Sequence, residues 1–201
     1  MNDVKFYKTI VWINSLIPLA IIAWDAWNQR LGANPVEYFL RTTGVLTLVF
    51  VLITLVVTPL RKLFGWNQLI KYRRVLGLFA FFYGVMHLST YLIFDRSLDL
   101  PGVVNDVIQR PFIALGMTGL ILMVPLAVTS TNKMIKRLGG KRWARLHKLI
   151  YLTAIAGVIH FWMIVKSDVF YPLVFAVVLT LLFAVRAVYS IKAKRPKVAG
   201  S

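Results

Sequence analysis

Residues 72–94 read YRRVLGLFAFFYGVMHLSTYLIF. After Arg74, twenty successive residues carry no Asp, Glu, Lys or Arg, and the one histidine among them is His87. About 20 apolar residues at a rise of about 1.5 Å each cross the hydrocarbon core of a bilayer. The stretch therefore predicts a membrane-spanning helix with two arginines at one mouth. Five further stretches match it: Thr9–Ala26, Tyr38–Leu60, Phe112–Ser130, Leu149–Val165 and Phe170–Tyr189. The first is the weakest, with Asn14, Ser15 and Pro18 inside it and Lys5 and Lys8 ahead of it, in the manner of a signal peptide. No small-x-small cleavage site follows, so it is read as a span. The composition agrees. Of 201 residues, 59% are hydrophobic and 15% charged, and the mean hydropathy is +0.72. Soluble domains have roughly 45–50% apolar and about 25% charged residues. The chain is thus expected to be all-α, a six-helix integral membrane bundle forming one domain over residues 1–201.

Charge sets the expected orientation. The net charge is +17, from 24 Lys and Arg against 7 Asp and Glu. In a soluble protein that excess would suggest nucleic acid. With the N-terminus inside, nineteen basic residues fall on inner segments and five on outer ones (Arg30, Arg41, Arg96, Arg110, Lys166). Six of the seven acids fall outside. Basic residues collect on the cytoplasmic side of membrane proteins, so both termini are expected in the cytoplasm and no nucleic-acid partner is expected. Residues 192–201 read as a basic disordered tail. The chain has no cysteine, which excludes disulfides, thiolate metal sites and iron–sulfur clusters. Asp99 and Asp106, in the longest outer loop, read as solvated charges or as contacts for an outer partner.

All three histidines, His87, His147 and His160, lie in or beside spans, and none lies in a remote loop. Ionisable groups at membrane depth are costly and mark function by default. His87 and His160 belong to the outer halves of different spans. His147 belongs to the inner edge, about 20 Å from His160 at the helical rise. The outer pair can share one metal atom. Zinc sites take three or four protein ligands, and no carboxylate accompanies these two. Two neutral imidazoles suit the axial faces of a haem iron. Each has a glycine three residues before it, in Gly84-Val85-Met86-His87 and Gly157-Val158-Ile159-His160. Helical side chains lean back over the preceding turn. Gly84, Gly157 and also Gly77 are therefore expected to clear surface for a flat macrocycle.

Three segments carry a family likeness: Arg73-Arg74-Val75-Leu76-Gly77-Leu78 running on to His87, Arg110-Pro111-Phe112-Ile113, and Lys141-Arg142-Trp143-Ala144-Arg145-Leu146-His147-Lys148-Leu149-Ile150-Tyr151. Along essentially its whole length the chain resembles the MsrQ (YedZ) family of the ferric reductase-like transmembrane group. The resemblance implies a subunit in the bacterial inner membrane that carries b-type haem and FMN. It would pass electrons from the quinone pool to a periplasmic molybdopterin enzyme that reduces methionine sulfoxide in oxidised proteins. It further implies an inner haem or flavin site about His147, with Arg73, Arg74, Arg142, Arg145, Trp143 and Tyr151. The larger oxidases of the group hold two haems by two histidine pairs. Here the position thirteen residues before His87 is Arg74, not His, so His147 lacks an evident histidine partner. One outer haem is expected, with a second haem or a flavin inside. No flavin or nicotinamide domain follows the last span, so electrons are expected from another molecule.

The expected function is therefore transmembrane electron transfer, with no bond of a substrate broken in this chain. Two alternatives stand beside it. A self-sufficient ferric or cupric reductase would need no protein partner. A small transporter would use the histidines as proton relays, against which the absence of Asp and Glu at membrane depth counts. One geometric conflict is also visible. Thirteen residues of regular helix would point His147 and His160 different ways, unless the helix breaks before Leu149.

Overall fold

The computed structural model describes residues 3–165 and 167–194. Nine helices appear among them: α1 (Asp3–Trp27), α2 (Pro35–Phe64), α3 (Arg73–Thr90), α4 (Leu100–Gln109), α5 (Pro111–Val128), α6 (Asn132–Leu138), α7 (Gly140–Leu146), α8 (Leu149–Ile164) and α9 (Phe170–Lys194). Six of these, with the short segments that continue them, are long and apolar enough to cross a membrane. Each overlaps one of the six stretches expected, the second running on to Phe64 and the fifth opening at Gly140. The last span runs to Lys194, three residues into the stretch expected as a tail, and residues 195–201 lie outside the described residues.

Local chemistry sets the boundaries. The Asn34 side chain accepts from the Glu37 amide, and Pro35 opens α2. This combination satisfies an orphan donor and presets the first helical φ. Gly65 closes α2 at φ +72°, the left-handed conformation that glycine adopts without strain. Arg110 is extended (φ −117°, ψ 95°) because Pro111 follows it, and there α4 stops and α5 begins. The two longest loops contain three helices absent from the sequence reading: α4 between the third and fourth spans, and α6 and α7 between the fourth and fifth.

Two helix pairs make the centre. The most extensive packings are α2 against α3 and α5 against α8. Between them lies a core that includes Leu48, Val51, Leu55, Phe79, Ala80, Tyr83, Met123, Ala154 and Val158. α1 docks on α3, where Trp12 meets Phe79 edge-on at 4.8 Å and the fully buried Tyr83 hydroxyl donates to the Ser15 carbonyl at 2.7 Å. The outward faces of α1 and α9 carry exposed Trp24, Phe170, Leu181 and Ile191. Apolar side chains of this size on the outside of a bundle match a lipid solvent, in which only backbone groups need internal partners.

A paired-histidine site at one end of the bundle

His87 lies three residues from the end of α3, and His160 four from the end of α8, so both sit at the end where α2 and α5 begin. Their ring centroids are 6.2 Å apart with planes crossed at 87°. Each ring is fixed by its own partner helix. His87 Nδ1 donates to the Leu40 carbonyl of α2 at 3.0 Å, and His160 Nδ1 donates to the Phe112 carbonyl of α5 at 2.5 Å. A carbonyl can only accept, so in each neutral ring the proton sits on Nδ1 and the lone pair on Nε2. Such a bond orients a metal-ligating imidazole and raises its basicity. An imidazole nitrogen is about 1.1 Å from its ring centre and a metal–imidazole bond is about 2.0 Å, so two rings on opposite faces of one metal have centres about 6.2 Å apart. The observed spacing fits that geometry.

Glycines bring the rings this close to the neighbouring helix. A Cβ on Gly44 of α2 would stand 3.1 Å from His87 Cε1 and Nδ1, and one on Gly116 of α5 would stand 2.8 Å from His160 Cε1. Leu40 and Gly44, like Phe112 and Gly116, are four residues apart, one helical turn, so carbonyl and bare surface share a face. This spacing is legible in the sequence, but only a known pairing of helices gives it meaning. The expected glycines have other neighbours. A Cβ on Gly84 would meet Leu120 Cδ1 at 2.9 Å, and one on Gly157 would meet Leu48 Cδ1 at 3.2 Å. The two pairs therefore cross-pack, leucine of one over glycine of the other. Gly77 faces Thr54 of α2 at an ordinary 3.7 Å.

At the opposite end, the structure divides the residues expected around His147. The chain breaks between α7 and α8 at His147 and Lys148, which removes the conflict of helical phase. Trp143 covers the His147 ring with centroids 3.9 Å apart, and its indole N–H donates to the Thr129 carbonyl at 3.0 Å. His147 Nε2 lies 3.2 Å from Thr129 Oγ1. That hydroxyl donates to the Pro125 carbonyl at 2.6 Å, so Nε2 is the donor toward it. The proton on Nε2 leaves the lone pair on Nδ1, and the other two histidines lie at the far end, so no second pair of histidines forms here. Arg142 and Arg145 are exposed, and Arg74 donates to the Asn132 side chain at 2.6 Å. Tyr151 belongs to a separate cluster with Arg186, a residue the sequence reading placed only by its charge: Arg186 Nη1 donates to the Tyr151 hydroxyl at 2.8 Å and Nη2 to the Leu55 carbonyl. Arg73 stands within electrostatic range of Tyr151, Arg186 and His147.

Outside the paired histidines, Asp106 of α4 is 4% exposed. It is neither solvated nor a free contact, which corrects the expectation for this acid. It accepts from the Tyr91 hydroxyl at 2.6 Å and pairs with Arg96 and, at 3.3 Å, with Arg110. The Tyr91 bond first, then Arg96 and Arg110, hold its carboxyl below the ordinary value. The Tyr91 bond likewise holds Arg96 above its own.

A bundle of membrane helices that presents two tautomer-fixed imidazoles from separate helices at metal-sharing distance has the donor arrangement expected of a transmembrane redox protein. Comparison with known proteins gives the family. The profile described as "Ferric reductase like transmembrane component" matches residues 42–158, which include His87 and His147 and end two residues before His160. The chain is similar to "Protein-methionine-sulfoxide reductase heme-binding subunit MsrQ" of Herminiimonas arsenicoxydans, with 45% identity over 91% of this chain and 85% of the relative. It is similar to the proteins of the same name from Rhodospirillum rubrum (45%, over 94% and 90%) and Azospira oryzae (43%, over 94% and 82%). The chain belongs to the ferric reductase-like transmembrane family, on the MsrQ branch of it, and is a multi-pass membrane protein.

Proposed function

We propose that the chain is the haem-binding membrane subunit of a methionine sulfoxide reductase system and carries electrons across the bacterial inner membrane, with both termini in the cytoplasm. The observation that carries this reading is the His87–His160 pair: centroids 6.2 Å apart, each Nδ1 bonded to a backbone carbonyl, each Nε2 left with its lone pair. The names of the relatives support haem as the group held there. When bound, a b-type haem supplies reversible one-electron chemistry at its iron. The protein's part is to hold the ligands. Leu40 and Phe112 fix the tautomers, Gly44 and Gly116 let the rings approach, and the apolar packing of Leu48 and Leu120 keeps water away. The alternating acidic and basic residues of the outer cap, with Asp106 locked between Arg96 and Arg110, order the surface above the site.

His147 lies about 20 Å from His160 at the helical rise, so electrons entering from the cytoplasmic side need a second carrier there. In this reading that carrier is FMN. Arg74, Arg142 and Arg145 offer phosphate donors and Trp143 offers aromatic surface, whereas Arg73 and Tyr151 stand in the separate cluster with Arg186. The donor is the quinone pool, and the acceptor is a periplasmic molybdopterin subunit that reduces protein methionine sulfoxide. A self-sufficient ferric or cupric reductase is the second reading, favoured only by the wider family's name.

The test is the visible spectrum of purified protein with haem and flavin extracted and quantified. Loss of the Soret band in both His87→Ala and His160→Ala is expected, with flavin retained. Full haem in both variants would end the assignment. Reduction of free ferric ions at the same rate as reduction of the partner would favour the second reading.

A further inference from the structure

The geometry points to a binding site for an anionic phospholipid in the cleft between α8 and α9, at the end of the bundle opposite the paired histidines. The cleft has a volume of about 340 Å³ and is lined by Tyr151, Phe183, Arg186, Ala187 and Ser190. Arg186 and Arg96 each have a buried Nε without a partner, but Arg96 is paired with Asp106 and Arg186 has no carboxylate among the described residues. Two of its nitrogens serve the Tyr151 hydroxyl and the Leu55 carbonyl, while Nε is buried and has no hydrogen-bond partner. A second guanidinium, Arg73, stands within electrostatic range. No carboxylate answers either of them: the three ion pairs among the described residues all use Glu37 or Asp106, at the other end. Two part-buried cations without a counter-charge and an N–H without an acceptor are costly as they stand. A phosphate diester supplies both the charge and the acceptor oxygens, and a guanidinium suits it.

Depth and surroundings select a lipid as the source of that phosphate. Arg186 is sixteen residues along α9 from Phe170, about 24 Å by the helical rise, and Leu55 is twenty along α2 from Pro35, about 30 Å. Across a hydrocarbon core of about 30 Å, Leu55 falls at the far boundary and the Arg186 backbone about 6 Å short of it, a distance that an arginine side chain spans to reach the headgroups. The rim residues Ala187 and Ser190 are exposed on the flank of the bundle beside exposed Val188 and Ile191, an apolar surface suited to acyl chains. Basic pockets between membrane helices on the cytoplasmic side take anionic headgroups in this way. The lipid would bridge α8 and α9 and, through Arg186, brace α2, so it would steady the helix that carries His160.

Native mass spectrometry of the full-length protein, released from micelles spiked with phosphatidylglycerol or phosphatidylcholine of matched chains, tests this. One phosphatidylglycerol is expected to be retained about tenfold more strongly than phosphatidylcholine. Arg186→Gln is expected to abolish the preference at unchanged helical circular dichroism. Equal retention of the two lipids by the wild type overturns the proposal, even if Arg186→Gln fails to fold. Equal preference in wild type and a folded Arg186→Gln overturns it too. Displacement of the bound phosphatidylglycerol by FMN or inorganic phosphate at equal concentration would assign the cations to a water-borne phosphate and refute the lipid. None of these outcomes depends on haem.

Discussion

Gly116→Ala should damage the paired-histidine site more than Gly44→Ala, although each adds one methyl group. The added Cβ at position 116 would stand 2.8 Å from His160 Cε1 and 2.9 Å from Nδ1, whereas ordinary contact begins at 3.4 Å. The ring must therefore retreat by about 0.6 Å, beyond the tolerance of about 0.2 Å on a metal–ligand distance. At position 44 the corresponding distance is 3.1 Å, a retreat of about 0.3 Å, close to that tolerance. The ring has little freedom to turn aside, because the Phe112 carbonyl holds its Nδ1. An off-rotamer side chain and a lost hydrogen bond together cost about 1–3 kcal/mol, or roughly 5- to 150-fold in affinity. Titration of haem into the haem-free variants, read by the Soret band, gives the affinities. The order wild type, Gly44→Ala, Gly116→Ala is expected, with Gly116→Ala weakened at least about fivefold. Wild-type affinity in Gly116→Ala, or a larger loss in Gly44→Ala, would refute the reasoning.

Three further outcomes follow from other parts of the molecule. The Asp106 carboxyl is held low by Tyr91, Arg96 and Arg110, so its contribution is complete above the ordinary carboxylate range and fades as pH falls through the lowered folded value. Hydrogen-exchange protection over residues 96–110, taken relative to the intrinsic rate at each pH, should be high at neutral pH and fall only in acid, and Asp106→Asn should be less protected at neutral pH and lose most of that dependence; an unchanged protection profile in the variant would count against the cap. Tyr83→Phe removes the bond to the Ser15 carbonyl and should weaken the docking of α1 by about 1 kcal/mol, seen as easier proteolysis of α1 at unchanged haem content. Gly77→Ala, facing Thr54 at 3.7 Å, should leave thermal unfolding unchanged or raise it by up to about 1 kcal/mol, whereas Gly84→Ala must push aside the Leu120 methyl and should lower it; a reversed order in the melting curves would show that the two helix pairs do not cross-pack as described.

Part of the site was legible because membranes simplify sequence. In water an isolated histidine says little, but His87 and His160, each in a long uncharged run, stand out against lipid, where an imidazole needs a reason to be present. Their shared level followed from counting residues along two spans that both run outward. The partners were not legible. Leu40 and Phe112 act through backbone carbonyls, which every residue has, and Gly44 and Gly116 look like ordinary small residues of a membrane helix until α2 is known to pack on α3 and α5 on α8. Gly84 and Gly157 did draw notice, being adjacent to the histidines, yet the surfaces they clear face leucines of the opposite pair.

By itself the amino-acid order determined that the chain is helical, how many times it is apolar enough to cross a bilayer, and which end the basic residues favour. Those properties depend on composition within windows of about 20 residues. Only the tertiary structure decided that the helix breaks at His147, that Asp106 is buried among Tyr91, Arg96 and Arg110, and that Arg186 reaches Leu55 and Tyr151 across three helices. The Arg186 contacts join segments 35 and 131 residues apart, and the Asp106 cluster forms only because the chain between Tyr91 and Arg110 folds back on itself. Such contacts depend on how whole helices pack and turn about their axes, which hydropathy along any one of them does not encode.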